Sequence, residues 1–111
     1  MKHEMKLQER YYNYIKNGTK RIELRLFDEK RSNVNIGDSI KFINITTGES
    51  FTVEATGLIR YKSFKEMLRD FDVDILADKS MTKEELLDVL NKIYSTKDQE
   101  KYGVLGIRID F

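Results

Sequence analysis

The side chains best suited to chemistry in this chain fall in one stretch: Gly18-Thr19-Lys20-Arg21-Ile22-Glu23-Leu24-Arg25. Side chains alternate along a strand, so Glu23 and Arg25 share a face at about 7 Å. At that spacing Arg25 either pairs with Glu23 or joins it in addressing one ligand. The guanidinium is a planar fork of donors suited to phosphate or carboxylate. The carboxylate accepts from the amino group of a base or acts as a general base. Lys20 has the opposite parity in a regular strand. It joins the pair only if Gly18-Thr19 bends the entry. The competing reading is an exposed strand face with a surface ion pair, worth little in stability.

Elsewhere the chemistry is sparse. The chain has no Cys and one His, so disulfides, thiolate metal sites and a His-based triad have no partners. His3 lies in a charged N-terminal stretch expected to be mobile, with a structural or incidental role. Asp70, Asp72, Asp74 and Asp78 are oxygen ligands by type. Their spacing lacks the Gly and bidentate Glu of a Ca²⁺ loop, and no metal or cofactor is expected. No Gly-rich phosphate cradle is present. Tyr61, Tyr94 and Tyr102 either line a base-stacking cleft, where stacking contributes about 1–3 kcal/mol per base, or cap the core at element ends. Lys30 and Arg31 lie in a loop, either solvated or touching phosphate.

The elements that must position these residues follow from periodicity. Met5 to Leu7 reads as a short strand. Leu7, Tyr11, Tyr14 and Ile15 recur at helical spacing, so Gln8 to Asn17 is an amphipathic helix stopped by Asn17-Gly18. Lys20 to Leu26 alternates as a half-buried strand with Ile22, Leu24 and Leu26 inward. Phe27 to Asn35 is a loop or a short helical turn. Ser39 to Ile45 and Ser50 to Arg60 form a hairpin about Thr46-Thr47-Gly48-Glu49, with Phe51, Val53, Ala55 and Ile59 on one face of the return strand. Ser63-x-x-Glu66 and Thr82-x-x-Glu85 are capping boxes. The first opens a helix with Phe64, Met67, Leu68 and Phe71 on one stripe. The second opens a helix with Leu86, Leu90 and Ile93 inward. Asp72 to Ser80, between them, is acidic and unpatterned. Thr96 to Lys101 is a helical turn, and Gly103 to Phe111 is a terminal strand with Leu105, Ile107, Ile109 and Phe111 on one face.

The 111 residues fit one domain. Strands at both ends and in the middle, with helices between, give an α+β class: a small twisted sheet or partly closed barrel with helices packed on it. The apolar runs are far shorter than the roughly 20 residues that span a bilayer. With no signal-peptide apolar region, a cytoplasmic location away from membranes is the expectation. Residues 1 to 41 carry a charge of +4 and the remainder −3. That asymmetry is compatible with an anionic ligand on the first part and equally with a solvated mixed surface.

The ordered set Gly18-x-Lys20-x-x-Glu23-x-Arg25, Gly37-Asp38-x-Ile40-x-Phe42 and Tyr102-Gly103-Val104-Leu105-Gly106-Ile107 resembles the ASCH (ASC-1 homology) domain of the PUA-like superfamily. Arg60-Tyr61-x-Ser63-Phe64 and Ile93-Tyr94 are similar to its small prokaryotic single-domain members. The resemblance covers nearly the whole chain, residues 1–111. It implies a partly closed β-barrel with flanking helices and a cleft beside the Lys-Glu-Arg strand. It also implies RNA or a nucleotide as partner, with Gly18, Lys20, Arg21, Glu23, Arg25, Tyr61 and Tyr102 as ligand-binding residues. One branch of the family removes the acetyl group from N4-acetylcytidine with a Lys, a Thr and a Glu. Lys20 falls at the Lys, and Glu23 stands at the Thr, where it supplies no hydroxyl nucleophile. The acidic residue falls near Asp78 or Lys79. Three functions follow in order: an RNA- or nucleotide-binding module, a modified-nucleoside hydrolase using Lys20 and Glu23, and a protein-interaction module covering the motif strand. The oligomeric state is not legible.

Overall fold

The computed structural model describes residues 1–110. Five strands form one sheet: β1 (Lys2–Leu7), β2 (Ile22–Leu26), β3 (Ser39–Asn44), β4 (Ser50–Tyr61) and β5 (Val104–Asp110). Their order is β1-β3-β4-β5-β2. β1 runs parallel to β3, and the other pairings are antiparallel. Among the described residues there are also five α-helices, α1 (Glu9–Lys16), α2 (Phe64–Asp70), α3 (Val73–Leu76), α4 (Lys83–Ile93) and α5 (Thr96–Tyr102), and a short 3-10 helix at Arg31–Asn33, within the stretch expected to be a loop or a short helical turn. The sheet is a half-barrel with flanking helices, as the alternation of strands and helices implied. Among the described residues no helix is long and apolar enough to cross a membrane. Phe111 lies outside the described residues.

The sheet buries both faces, against two cores. On one face Met5 and Leu7 of β1, Ile40 and Phe42 of β3, Val53 and Ala55 of β4 and Leu105 and Ile107 of β5 pack with Tyr12 and Ile15 of α1. On the other, Ile22, Leu24 and Leu26 of β2 and Val104 of β5 pack with Phe64, Met67, Leu76, Leu86 and Leu90. The switch occurs within β4, where a register shift between Ala55 and Gly57 marks a bulge. An extra residue in a strand reverses which side chains face each side. The expected common face of Phe51, Val53, Ala55 and Ile59 is therefore split, with Ile59 packing against the second core. Gly106 of β5 makes room for that core. A Cβ there would meet Ile22 Cγ2 at 3.1 Å and the Met67 methyl at 3.4 Å.

Three further expectations are corrected. The first strand begins at Lys2 rather than Met5, and His3 is held within it: its Nε2 lies 2.8 Å from Asp38 Oδ2. A charged segment gave no apolar signal for a strand that pairs with β3 through its backbone. The segment Asp72 to Ser80 contains α3 and buries Leu76 and Ala77 completely; four residues are too few to show a period. Ile93 is not inward but 50% exposed at the end of α4. Of the two expected capping boxes one forms in full and the other only by half. The Ser63 side chain accepts from the Glu66 N–H, and Thr82 with Glu85 makes the full reciprocal box.

Candidate functional site

The site begins with how α1 ends. Gly18 takes φ +82°, a region costly for other residues. The chain then folds back on the helix: the Thr19 hydroxyl and the Lys20 N–H both donate to the Tyr14 carbonyl at 3.0 Å. The Arg21 N–H donates to the Ile75 carbonyl at 2.7 Å, and regular strand starts only at Ile22. Lys20 thus stands before the strand and is freed from its alternation, by the bend that its joining the cluster required. The Lys20 ammonium donates to the carbonyls of Ile22 at 2.8 Å and Leu76 at 2.7 Å. It lies 3.4 Å from Glu23 Oε1. Arg25 Nε donates to Glu23 Oε2 at 2.8 Å, and its Nη2 donates to the Lys6 carbonyl at 3.0 Å. That last bond links β2 to β1, the two edge strands of the sheet.

This is no surface ion pair. Lys20 is 4% exposed and Glu23 3%. Burial pushes the Lys20 ammonium down, and the Glu23 carboxylate opposes it. For Glu23, burial pushes the carboxyl up. The charges of Arg25 and Lys20 outweigh burial, and the carboxyl ends below its ordinary range, ionised at neutral pH. Burial also acts downward on Arg25. Glu23 and the Tyr94 hydroxyl overcome it, and the guanidinium is held charged. The carboxylate is thereby the hub of two cations, in a setting where removing one partner leaves a buried charge uncompensated.

Beside the cluster lies a cavity of about 260 Å³. Its walls come from Leu7 and Gln8 between β1 and α1, Tyr11 of α1, Leu24 of β2, and Leu86, Val89, Leu90 and Ile93 of α4. Lys20, Glu23 and Arg25 form the charged part of the lining, with Tyr94 beside them. The position has a simple cause. Because β2 ends the sheet, its outer edge has no strand neighbour, and β1 and α4 approach it without closing on it. An apolar-walled cleft with a few convergent polar groups is the usual form of a small-ligand site.

The family model of the ASCH domain matches residues 5–111. The chain belongs to the ASCH domain family. ASCH domains are PUA-like modules generally linked to RNA binding. The crystal structure of hypothetical protein PH0355 is similar to this ASCH domain, with TM-score 0.88 and 40% identity over 99% of this chain and 98% of that one. The solution NMR structure of Protein PF0455 from Pyrococcus furiosus has TM-score 0.80 and 35% identity, over 99% and 96%. None of the curated proteins compared matches the chain.

Within this ASCH domain the seven expected ligand residues do not all converge. Lys20, Glu23 and Arg25 line the cleft. Gly18 shapes the turn, and the exposed Arg21 lines a neighbouring pocket with Gly18, Thr56 and Arg108, which Lys20 borders as well. Tyr61 and Tyr102 flank another depression that shares no lining residue with the cleft. The Tyr61 hydroxyl donates to Asp70 Oδ2, and the Arg60 guanidinium lies 3.7 Å from the Phe27 ring centroid. Lys30 and Arg31 line a third depression with Asp28, Glu29 and Tyr102. Asp78 accepts from the Ser80 hydroxyl and N–H and is absent from the cleft lining. Tyr11, Leu76 and Val89 carried no functional signal in sequence. Tyr11 and Val89 read as ordinary helix positions, and Leu76 contributes only its carbonyl.

Proposed function

We propose that this ASCH domain binds RNA or a nucleotide by seating one base in the cleft beside Lys20, Glu23 and Arg25. The observation that carries this reading is the pairing of an apolar-walled cavity with a buried, ionised polar cluster. A volume of about 260 Å³ falls just below the ~300–1,000 Å³ of most ligand pockets, which suits one ring system rather than a stretch of polymer. The aliphatic walls and Tyr11 and Tyr94 supply faces against which a planar ring packs. Lys6, exposed at the mouth, is placed to meet a phosphate of the same nucleotide. The rest of an RNA strand would run over the surface outside.

Hydrolysis of a modified nucleoside finds less support. The hydroxyls among the described lining residues are those of Tyr11 and Tyr94, with no Ser or Thr. The Lys20 ammonium directs its donors at two carbonyls and a carboxylate, contacts that favour its charged form, and a charged ammonium has no lone pair with which to take a proton.

The test is fluorescence anisotropy with a labelled ten-nucleotide RNA of mixed sequence. Saturable binding is expected, weakening as salt rises because phosphate contacts release counterions. Lys6→Ala should lose affinity and flatten the salt dependence, and Leu90→Trp, which fills the cavity, should lose affinity at every salt concentration. RNA binding indifferent to the filled cavity would remove the cleft from the account.

A further inference from the structure

Resting on the proposal that RNA seats one base in the cleft, the charge of the neighbouring surface says where the rest of the strand runs. The hollows near the cleft differ in their balance of charge. The one flanked by Tyr61 and Tyr102 sets Arg60, Lys62 and Lys101 against Glu66 and Glu100, and its Arg60 guanidinium already rests on the Phe27 ring. At Lys30 and Arg31 the carboxylates of Asp28 and Glu29 balance the two cations. The pocket at Arg21 and Arg108, of about 380 Å³, has Asp110 as its one acidic lining residue. No ion pair among the described residues takes up Arg21, Arg108 or Asp110. This pocket is therefore the most cationic of the three, and its charge is unspent.

The fold brings the two arginines together from separate strands. The backbone of Arg21 is pinned on both sides: its N–H donates to the Ile75 carbonyl at 2.7 Å, and its carbonyl accepts from the Ile109 N–H at 3.1 Å. Arg108 of β5 stands opposite Ile22, the next residue along. On its other side Arg108 meets the bulge of β4, which sets Gly57 against it. A Cβ on Gly57 would lie 3.2 Å from Arg108 Cβ and 3.6 Å from its Cδ. The Arg108 stem thus lies across the bare backbone of Gly57, and a bulge re-aiming a side chain is a recurrent device. Both arginines are exposed, and each guanidinium is a fork of donors matched to phosphate oxygens.

The pocket adjoins the cleft, with Lys20 lining both. The Lys20 ammonium is spent on Glu23 and two carbonyls, so it serves as a shared wall. At strand spacing the chain from Arg21 to Arg25 rises about 13 Å. One nucleotide does not bridge that length, and a few do.

We propose that the pocket at Arg21 and Arg108 is a phosphate subsite for the backbone of the RNA strand whose base occupies the cleft, a few nucleotides along from that base. Phosphate contacts position a strand without reading its sequence. The subsite therefore adds affinity to any strand long enough to reach it and adds none to a single nucleotide.

The experiment compares two probes on the full chain: the ten-nucleotide RNA by anisotropy across salt concentrations, and uridine 5′-monophosphate by NMR shifts at the amides of residues 86 to 94. Arg21→Gln and Arg108→Gln should each weaken RNA binding roughly threefold to tenfold and flatten the slope of log affinity against log salt by about 0.7. The mononucleotide should bind both variants as it binds the unaltered chain. Lys62→Gln and Lys101→Gln remove the same charge from the hollow beside Tyr61 and should leave the slope where it was. A slope unmoved by the arginine changes, or moved equally by all four changes, overturns the subsite. An equal loss for the mononucleotide overturns it as well, by placing the arginines at the cleft. Saturation of the Arg21 and Arg108 amides by inorganic phosphate, with RNA binding indifferent to both arginines, assigns the pocket to a free anion and overturns the strand path. RNA binding that depends on both arginines and survives Leu90→Trp supports the phosphate subsite while removing the base from the cleft. Absence of saturable RNA binding to the unaltered chain removes both.

Discussion

At the scale of single residues, burial decides what the motif does. Lys20, Glu23 and Arg25 on an exposed strand would form a pair worth well under about 1 kcal/mol. Here the carboxylate sits between two cations, away from water, with the ammonium also closing the carbonyls of Ile22 and Leu76. Removing one member therefore costs far more than removing a surface charge. Lys20→Met should lower stability by about 3–5 kcal/mol, the range for breaking a buried pair, with urea denaturation as the check. A loss below about 1 kcal/mol would mean that water reaches Glu23 freely. Lys20→Met combined with Glu23→Leu should cost less than the sum of the two single changes, because the Lys20–Glu23 contact is then lost once rather than twice, although Arg25 loses its carboxylate partner.

At the scale of elements, the helices are locked by specific polar contacts as well as by apolar stripes. Gln99 of α5 is buried. Its carbonyl accepts from the Phe64 N–H at 3.1 Å, at the start of α2, and its amide donates to Asn91 Oδ1 at 2.9 Å and the Tyr94 carbonyl at 3.0 Å. One side chain thus ties α5 to α2 and α4. Gln99→Ala orphans a buried N–H, and thermal or urea unfolding should show a loss of about 1–3 kcal/mol. Thr82→Ala removes only the N-cap of α4 and should cost about 1 kcal/mol. Gly106→Val tests the contact between sheet and α2. Its side chain would press on Ile22 and Met67, with an expected loss of about 1–3 kcal/mol.

At the scale of the whole molecule, two acid-sensitive ties hold the half-barrel's edges. Arg25, held by Glu23, bridges β2 to the Lys6 carbonyl of β1. Asp38, just before β3, takes His3 of β1 and the Asn35 N–H, and these bonds hold its carboxyl at about 2 rather than 3.8. A carboxyl with a depressed folded pKa stabilises the fold fully above its unfolded value and loses that contribution as pH falls through the folded one. Glu23 is shifted in the same direction. The melting temperature should therefore hold steady above about pH 5 and fall as pH drops from 4.5 toward 2. Asp38→Asn should melt lower at neutral pH and show a shallower acid decline, measured by circular dichroism across pH. An unchanged decline would assign acid sensitivity to other carboxylates.

The chain's local patterns determined a good deal by themselves. Strand alternation at Ile22, Leu24 and Leu26, the stop at Asn17-Gly18 and the caps at Ser63 and Thr82 depend on neighbours within a few residues, and all appear where those patterns put them. Where local patterning ends, so did the reading. The parallel pairing of β1 with β3 joins residues more than thirty apart. The bulge that divides β4 between two cores leaves only a faint mark in its residue types, Gly57 followed by the adjacent apolar pair Leu58 and Ile59. The segment Gly18 to Arg25 shows the division most plainly. Its spacing placed Glu23 and Arg25 on one face and made Lys20 conditional on a bend at Gly18. Only the tertiary structure took water away from the cluster, spent Lys20 on a carbonyl from α3 and set Tyr94 and α4 opposite Arg25. Those partners lie some fifty to seventy residues along the chain. Burial, charge state and spare hydrogen-bonding capacity are properties of what surrounds a side chain, and no spacing within one strand encodes them.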